Sequence, residues 1–239
     1  MKKSIALLLS LIFVLLTFAA CSNDDETTPT RVVPTGVDSL VVDTNQNPQI
    51  NINNNWWLNY YAVFTYFCPA ANFKTDTVIS EKKTANSFIV SNLSEGYFKY
   101  YADTEQGLDE YVVVPADLLF EHRLVPAASV NNVNSMFMKI TAVAESFASG
   151  ENVIYTGSEM IANRNCQLYM QRTFNESGEQ DSVAYLWIDA QYGFCSKCIT
   201  YDANGEIVMS WELNEFRTGD ITDAEVKPDL SSYNFVEAE

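Results

Sequence analysis

The pattern of apolar and polar positions predicts β-structure over most of the chain. From Trp56 onward, short runs of β-branched and aromatic residues are separated by turn residues, which is typical of an antiparallel meander. Alternation is clearest near the C-terminus, where Ile207, Met209 and Trp211 alternate with more polar neighbours. After an aromatic run at 56–67, the predicted strands are 77–80, 87–91, 97–102, 110–114, 153–160, 166–174, 183–188, 194–201 and 207–216.

One segment has a helical period instead. Its apolar residues recur at alternating spacings of three and four, which places them on one stripe of a helix. Ser129 can cap the start of this helix and Gly150 its end. A strand through Met136, Met138 and Ile140 is the competing interpretation. The stripe that favours a helix packed on a sheet consists of Val130, Val133, Phe137, Ile140, Ala144 and Phe147.

The N-terminus has the features of a secretory signal peptide. Lys2 and Lys3 precede an uncharged apolar run at 5–20, which is shorter than the roughly 20 residues of a membrane-spanning helix. Phe18-Ala19-Ala20-Cys21 resembles a bacterial lipobox, with Phe18 in place of the usual leucine. We therefore expect cleavage before Cys21 and lipidation of its thiol, because two or more acyl chains give a stable anchor. An uncleaved anchor and ordinary cleavage after Ala20 are the alternatives.

The residues after Cys21 indicate a tether and a location. The acidic cluster at 22–26 resembles a surface-export signal of outer-membrane lipoproteins in one phylum of Gram-negative bacteria. We expect an outer-membrane lipoprotein exposed on the cell surface, with the periplasmic face as second choice. Residues 21–55 are acidic and rich in Asn, so they read as a flexible tether. The expected organisation is a signal peptide at 1–20, this tether and one domain at 56–239.

Charge and composition narrow the function. The 239 residues carry a formal net charge of −17, which repels phosphate backbones, so we expect no nucleic-acid partner. His122 is the only histidine and is expected in a loop, which disfavours zinc proteases and two-histidine acid–base chemistry. No G-x-S-x-G motif accompanies it. We expect no metal and no cofactor, and a binding protein instead of an enzyme.

The cysteines form one recognisable motif, Cys195-Ser196-Lys197-Cys198. Residues i and i+3 of a regular strand point to opposite faces, so we expect no bridge within this C-x-x-C and no redox role. Zinc would need two further ligands. Besides Cys21, the chain has Cys68 and Cys166 as well, and four cysteines allow three pairings. We expect no disulfide or one, and the pairing stays open.

The C-terminal residues resemble a known superfamily. The run 186–189 is followed by Gly193, Lys197, 201–208 and 211–220, and Gly157 and 164–169 precede it. This order resembles the C-terminal strands of the lipoprotein-carrier (LolA/LolB-like) superfamily over roughly 153–235. The resemblance implies a mostly β, α+β fold: an antiparallel meander curled into a half-open β-barrel, with one main helix packed on or in its concave face. In relatives the cavity of this barrel takes acyl chains.

The expected function is non-covalent binding of a hydrophobic, acyl-chain ligand by an outer-membrane lipoprotein anchored through Cys21. Alternation along the strands suggests which side chains face the ligand: Phe64, Tyr66, Trp187, Met209 and Trp211. A completely filled barrel would argue against this hypothesis. Glycan binding at Trp56-Trp57 and Tyr60-Tyr61, or a purely structural role with a protein partner, are the alternatives.

Overall fold

The computed structural model describes residues 54–126, Phe137 and residues 153–237, with side chains from Trp56 onward. Over these residues the chain forms one 12-stranded sheet. Its strands are β1 (Tyr60–Cys68), β2 (Phe73–Lys83), β3 (Ser87–Asn92), β4 (Tyr97–Thr104), β5 (Gly107–Val114), β6 (Leu119–Pro126), β7 (Val153–Ile161), β8 (Arg164–Phe174), β9 (Gln180–Asp189), β10 (Cys195–Asp202), β11 (Ile207–Thr218) and β12 (Asn234–Phe235).

Two meanders are joined side by side. The strand order is β12-β6-β5-β4-β3-β2-β1-β11-β10-β9-β8-β7, so β1 and β11 form the seam between β2–β6 and β7–β10. All pairs are antiparallel except β12, which lies parallel to β6. Short hairpins connect most neighbours, as expected for antiparallel pairing. The mostly β fold class and the open antiparallel meander predicted from the sequence are confirmed.

Several predicted elements differ in detail. The strand β6 was missed, because its polar residues Glu121, His122 and Arg123 hide the alternation. His122 therefore lies in a strand and not in a loop, with its ring stacked on Tyr111. The strand β2 begins at Phe73, earlier than predicted. A helical turn at Asp223–Val226, closed by a capping box between Thr222 and Glu225, was also not foreseen.

The sheet has an inner and an outer face. We call the face that carries Phe64 the inner face. Because paired residues in a ladder point to the same side, the register places one inner row across neighbouring strands. This row consists of Tyr155, Tyr169, Leu186, Cys198, Trp211, Tyr66 and Thr77.

The sheet is strongly curled on the β7–β11 side. Cα atoms of β7 and β11 approach within 8 Å, although β8, β9 and β10 lie between them in the sheet. A flat sheet would separate these strands by roughly four spacings of about 4.8 Å. This curl encloses the inner face and gives the half-open barrel its shape.

The outer face of the other side is covered by the C-terminal segment. Ile221 and Val226, which flank and close the helical turn, pack with Tyr100 in a second apolar cluster. Val226 is 1% exposed. Since Tyr100 and its neighbour Tyr111 would otherwise face water, this segment completes the domain after β11.

Some predictions fall outside the described residues. These are the signal peptide, Cys21, the tether and the helix expected at 130–147, apart from Phe137. Phe137 itself is helical and fully buried against the inner face. In the described part of the chain, no helix is long and apolar enough to cross a membrane.

Candidate functional site

The inner face is divided into an uncharged half and a charged half. The uncharged half consists of the inner-face side chains of β1 and β7–β11. By the register, none of these is Asp, Glu, Lys or Arg until Asp202, the last residue of β10. The charged half consists of the inner-face side chains of β2–β6. By the same register its charged side chains are Glu81, Lys83, Lys99, Asp103, Glu110, Glu121 and Arg123.

Polar groups of the uncharged half hydrogen-bond to one another. The Tyr169 hydroxyl donates to the Gln167 side chain at 3.0 Å, and the hydroxyls of Tyr155 and Ser158 are 3.0 Å apart. Burial raises the pKa of Tyr169 to about 12, and burial, followed by the neighbouring Cys68 thiol, raises the pKa of Tyr66. These phenols therefore stay neutral at physiological pH. The surface offers apolar area and neutral hydroxyls, without a formal charge.

The two ends of the uncharged half differ. At the end where β1 finishes and β11 begins, which we call the Met209 end, Met209, Ala184 and Val153 are half-buried. Thr200, between Ala184 and Met209 in the register, is buried. This end is the least covered part of the uncharged half.

The opposite end, which we call the Phe194 end, is closed by aromatic rings. The Phe137 ring lies 5.4–5.9 Å from the ring centroids of its neighbours. Arg164 caps the group, with its guanidinium carbon 4.9–5.7 Å from the rings of Tyr192, Phe194 and Phe216. The neighbours of Phe137 are Trp56, Tyr60, Phe64, Phe194 and Phe216.

Arg164 itself has its charge matched. It forms an ion pair with Asp189, whose carboxylate also accepts the backbone N–H groups of Gln191 and Tyr192 at 2.9 and 2.7 Å. A small polar cleft of about 300 Å³ lies beside this pair, lined in part by Asn163. Apart from Ala190, the residues that line the cleft are polar or charged.

The charged half is internally neutralised around Glu110. Glu110 is fully buried; it forms an ion pair with Arg123, accepts the Tyr101 hydroxyl at 2.9 Å and lies 3.8 Å from Lys99 Nζ. Burial lowers the pKa of Lys99, and the Glu110 carboxylate opposes this by raising it. The cations of this half thus already have anionic partners.

The structure places four of the five predicted ligand-binding residues on one face. Tyr66 pairs with Trp211, Phe64 pairs with Leu213, and Met209 lies two residues before Trp211. Trp187 is the exception. Its neighbour Leu186 belongs to the inner row, so Trp187 faces outward, where its indole N–H donates to Glu159 at 2.7 Å and Lys197 lies over its ring. Alternation alone could not reveal this, because the register of β9 is set by its partners.

The four inward residues are packed instead of exposed. Phe64 is fully buried against Phe137, and Tyr66 and Trp211 are 4% and 3% exposed. Only Met209 is half-buried. Residues that the sequence did not single out complete the same surface, and each could have been found only by pairing its strand correctly: Tyr155, Tyr169, Leu186, Cys198 and Thr200.

A β-bulge changes the geometry of the C-x-x-C motif. Cys195 pairs with Ile188 and Cys198 pairs with Leu186, so the bulge brings both thiols to the same face. The expectation of opposite faces is wrong for this reason. Both thiols are buried and unbridged, as are Cys68 and Cys166. Burial raises the pKa of Cys198 to about 12 and also raises the pKa of Cys195, which keeps these thiols protonated and unreactive.

The aromatic residues considered for glycan binding do not form an exposed row. Trp56 and Tyr60 lie in the core, whereas Trp57 is 39% exposed. Tyr61 points to the outer face, where Lys82 and Arg217 lie over its ring. In the described part of the chain, no group of three or more His, Cys, Asp or Glu side chains is arranged to hold a metal ion.

Comparisons with known proteins give likenesses of fold alone. No protein-family model and no curated protein matches the sequence. Among solved structures, an uncharacterized conserved protein from Thermus thermophilus aligns over 75% of this chain and 90% of its own, with 12% identity and a TM-score of 0.43. The MucA/MucB complex of Pseudomonas aeruginosa aligns over 74% and 58%, with 10% identity and a TM-score of 0.47.

A LolA superfamily protein from Nitrosomonas europaea aligns over 75% of this chain and 94% of its own, with 12% identity and a TM-score of 0.28. A LolA superfamily protein is thus among the solved structures to which this chain is similar, at low identity. Because each TM-score is below 0.5, nothing about ligands or partners follows from these likenesses.

Proposed function

We propose that this protein is a lipid-anchored outer-membrane lipoprotein whose half-barrel binds a hydrophobic, acyl-chain ligand without catalysing a reaction. The observation that supports the proposal is the uncharged half of the inner face. Six adjacent strands, β7–β11 and β1, present only apolar or neutral side chains to the inner face over most of their length. Burying apolar ligand area on such a surface is favourable by about 25 cal/mol per Å².

The route of entry follows from the two ends of this surface. The Phe194 end is filled by the Phe137 cluster, whereas the Met209 end is half-buried. A ligand chain enters at the Met209 end and lies along Trp211 and Tyr66. Since both side chains are buried in the structure, the ligand replaces contacts that cover them now.

The anchor is part of the proposal. Lipidated Cys21 would hold the domain at the outer membrane, with the cell surface as the favoured side and the periplasmic face as second choice. Metabolic labelling with a radioactive fatty acid tests this part, and Cys21→Ala is its control. Label that persists in Cys21→Ala would overturn the assignment of the lipidated residue.

Native mass spectrometry tests the ligand. The chain carries Cys21→Ala and a cleavable secretory signal peptide in place of residues 1–20, and it is purified without detergent from a Gram-negative periplasm. We expect a reproducible bound mass of lipid size that organic solvent extracts. If the protein still has the mass of the ligand-free chain after incubation with membrane lipids, the proposal is refuted.

A matched pair of variants assigns the ligand to the inner face. Met209→Lys places an ammonium group on the uncharged half, whereas Ser210→Lys places the same charge on the outer face of β11. We expect the bound mass to disappear in Met209→Lys and to persist in Ser210→Lys. Equal retention by both folded variants would place the ligand elsewhere.

Protein recognition is the second candidate. Exposed apolar side chains lie at several hairpin tips of the Met209 end, where Leu93, Phe174 and Ile207 are 56%, 50% and 45% exposed. Phe235, on β12 near the same end, is 54% exposed. Such side chains suit a partner protein. Crosslinking in intact cells, with loss of a specific adduct in Phe174→Ser and Ile207→Ser, would support this alternative.

A further inference from the structure

The charges around the uncharged half restrict the charge of the ligand that it can bind. We propose that the site selects uncharged or cationic amphiphiles and discriminates against anionic ones such as fatty-acid carboxylates. This inference rests on the proposed function, since it concerns the ligand of the same surface. It is carried by the charges that surround the entrance.

The interior offers no counter-ion to an anionic head. No inner-face side chain of β1 or β7–β11 is basic. A carboxylate drawn into this surface would lose its hydration without gaining a counter-ion, because the polar groups there are neutral, and this is unfavourable. The anionic head must therefore stay at the entrance or reach a cation elsewhere.

The cations elsewhere are already committed. Lys99 and Arg123 face the buried carboxylate of Glu110, and Arg164 forms an ion pair with Asp189 at the far, aromatic end. Lys83 pairs in register with Tyr60, which places it near the Phe194 end. Burial lowers the pKa of Lys83, and the Asp103 and Glu81 carboxylates oppose this by raising it. None of these four groups is at the Met209 end. Lys74 on β2 and Arg172 on β8 lie nearer to that end, but both are exposed to solvent, and Arg172 pairs with Val183 on the outer face.

The entrance itself is acidic. The β8–β9 tip carries Glu176 and Glu179, and the β10–β11 tip carries Asp202 and Glu206. Both tips flank the strands that bear Ala184, Thr200 and Met209. The carboxylates at this rim repel an anionic head group and attract an ammonium head group. They have little electrostatic effect on an uncharged glycerol head group.

Ligands with one chain length test the inference. Dodecanoate, monolauroylglycerol and dodecylamine, each below its micelle concentration, compete with the neutral dye Nile red for the Cys21→Ala chain. We expect the neutral and cationic compounds to bind at least about tenfold more tightly than dodecanoate in about 0.02 M salt, and the preference of the amine over the glyceride to shrink in about 0.5 M salt.

Charge reversal at the rim provides the matched control. Glu176→Lys/Glu206→Lys changes two exposed carboxylates beside the entrance, and Glu105→Lys/Asp117→Lys makes the same change of net charge at exposed tips of β4–β6. We expect the first variant to bind dodecanoate several-fold more tightly than the parent. The second should leave all three affinities unchanged.

The outcomes separate this inference from the proposed function. Equal affinity for the three compounds, or tightest binding of dodecanoate, overturns the charge selectivity while hydrophobic binding stands. Failure of all three compounds to displace the dye, together with an apo mass in native spectrometry, overturns both. An equal effect of the two charge-reversed variants would assign the selectivity to net charge and not to this rim.

Discussion

The backbone N–H of Phe137 donates a hydrogen bond to Oε1 of Glu81 on β2, with 3.0 Å between nitrogen and oxygen. The other oxygen of the same carboxylate accepts the Tyr60 hydroxyl, also at 3.0 Å. Glu81 is 1% exposed. One carboxylate of the charged half thus ties the residue that fills the Phe194 end to the strand at the centre of the sheet.

Loss of this carboxylate should be costly. We expect Glu81→Ala to lower the free energy of unfolding by about 3 kcal/mol, because it leaves buried donors without their acceptor. Tyr60→Phe removes one donor only and should cost about 1 kcal/mol. Urea denaturation followed by circular dichroism measures both. Equal stability of Glu81→Ala and the parent would contradict the contact.

Two neighbouring residues on β6 should contribute unequally to the stability of the fold. Arg123 faces inward to the buried Glu110, whereas His122 faces outward, 3.2 Å from Asp109. We expect Arg123→Ala to lower the free energy of unfolding by about 2 kcal/mol. Breaking a fully buried ion pair would lower it further, but half of the Arg123 side chain is exposed. His122→Ala should cost about 0.5 kcal/mol. Thermal unfolding would show the reverse order if the faces were assigned wrongly.

The buried thiols should make stability depend on alkaline pH. Burial raises the pKa of Cys198 from 9.0 to about 12. A raised folded-state pKa gives stability that is complete below the unfolded pKa and is lost as pH rises toward the folded value. Between about pH 8 and about pH 10.5, Cys198 should therefore contribute a loss on the order of 2 kcal/mol.

Urea unfolding at a series of pH values measures this slope. Cys198→Ala should be less stable than the parent at neutral pH, because it removes buried atoms, but its stability should fall less steeply above about pH 9. Parallel pH profiles for the parent and the variant would contradict the prediction. The tyrosines titrate in both proteins, so their contribution to the pH dependence of stability cancels when the two slopes are compared.

The C-terminal cover of the outer face should matter to stability. Val226 is 1% exposed in the cluster with Tyr100 and Ile221, whereas Val236 is 39% exposed. We expect Val226→Ala to lower the free energy of unfolding by about 2 kcal/mol through lost burial and a residual cavity. Val236→Ala should change it by less than about 0.5 kcal/mol. Equal effects of the two truncations would show that the turn does not cover the sheet.

The sequence alone was sufficient for the class of fold and for most strands. Positions 209, 211 and 213 alternate so regularly with polar neighbours that their apolar side is visible without a structure, because the side-chain period of a strand is fixed by backbone geometry. The pattern did not reveal the register shifts beside Ile207 and Leu213, which interrupt this period at both ends of the run. The same regularity predicted correctly that Phe64, Tyr66, Met209 and Trp211 share a face. It failed at β6, where the polar residues of the charged half interrupt the pattern.

Only the tertiary structure decided which strands are neighbours, and the site depends on that. The pairing of β1 with β11 brings Tyr66 beside Trp211, although they are far apart in sequence. The bulge in β10 places Cys195 and Cys198 on one face, and the partners of β9 turn Trp187 outward. A local pattern gives the two sides of a strand; which side faces the interior is set by register with neighbours, and register is a non-local property of the packed sheet.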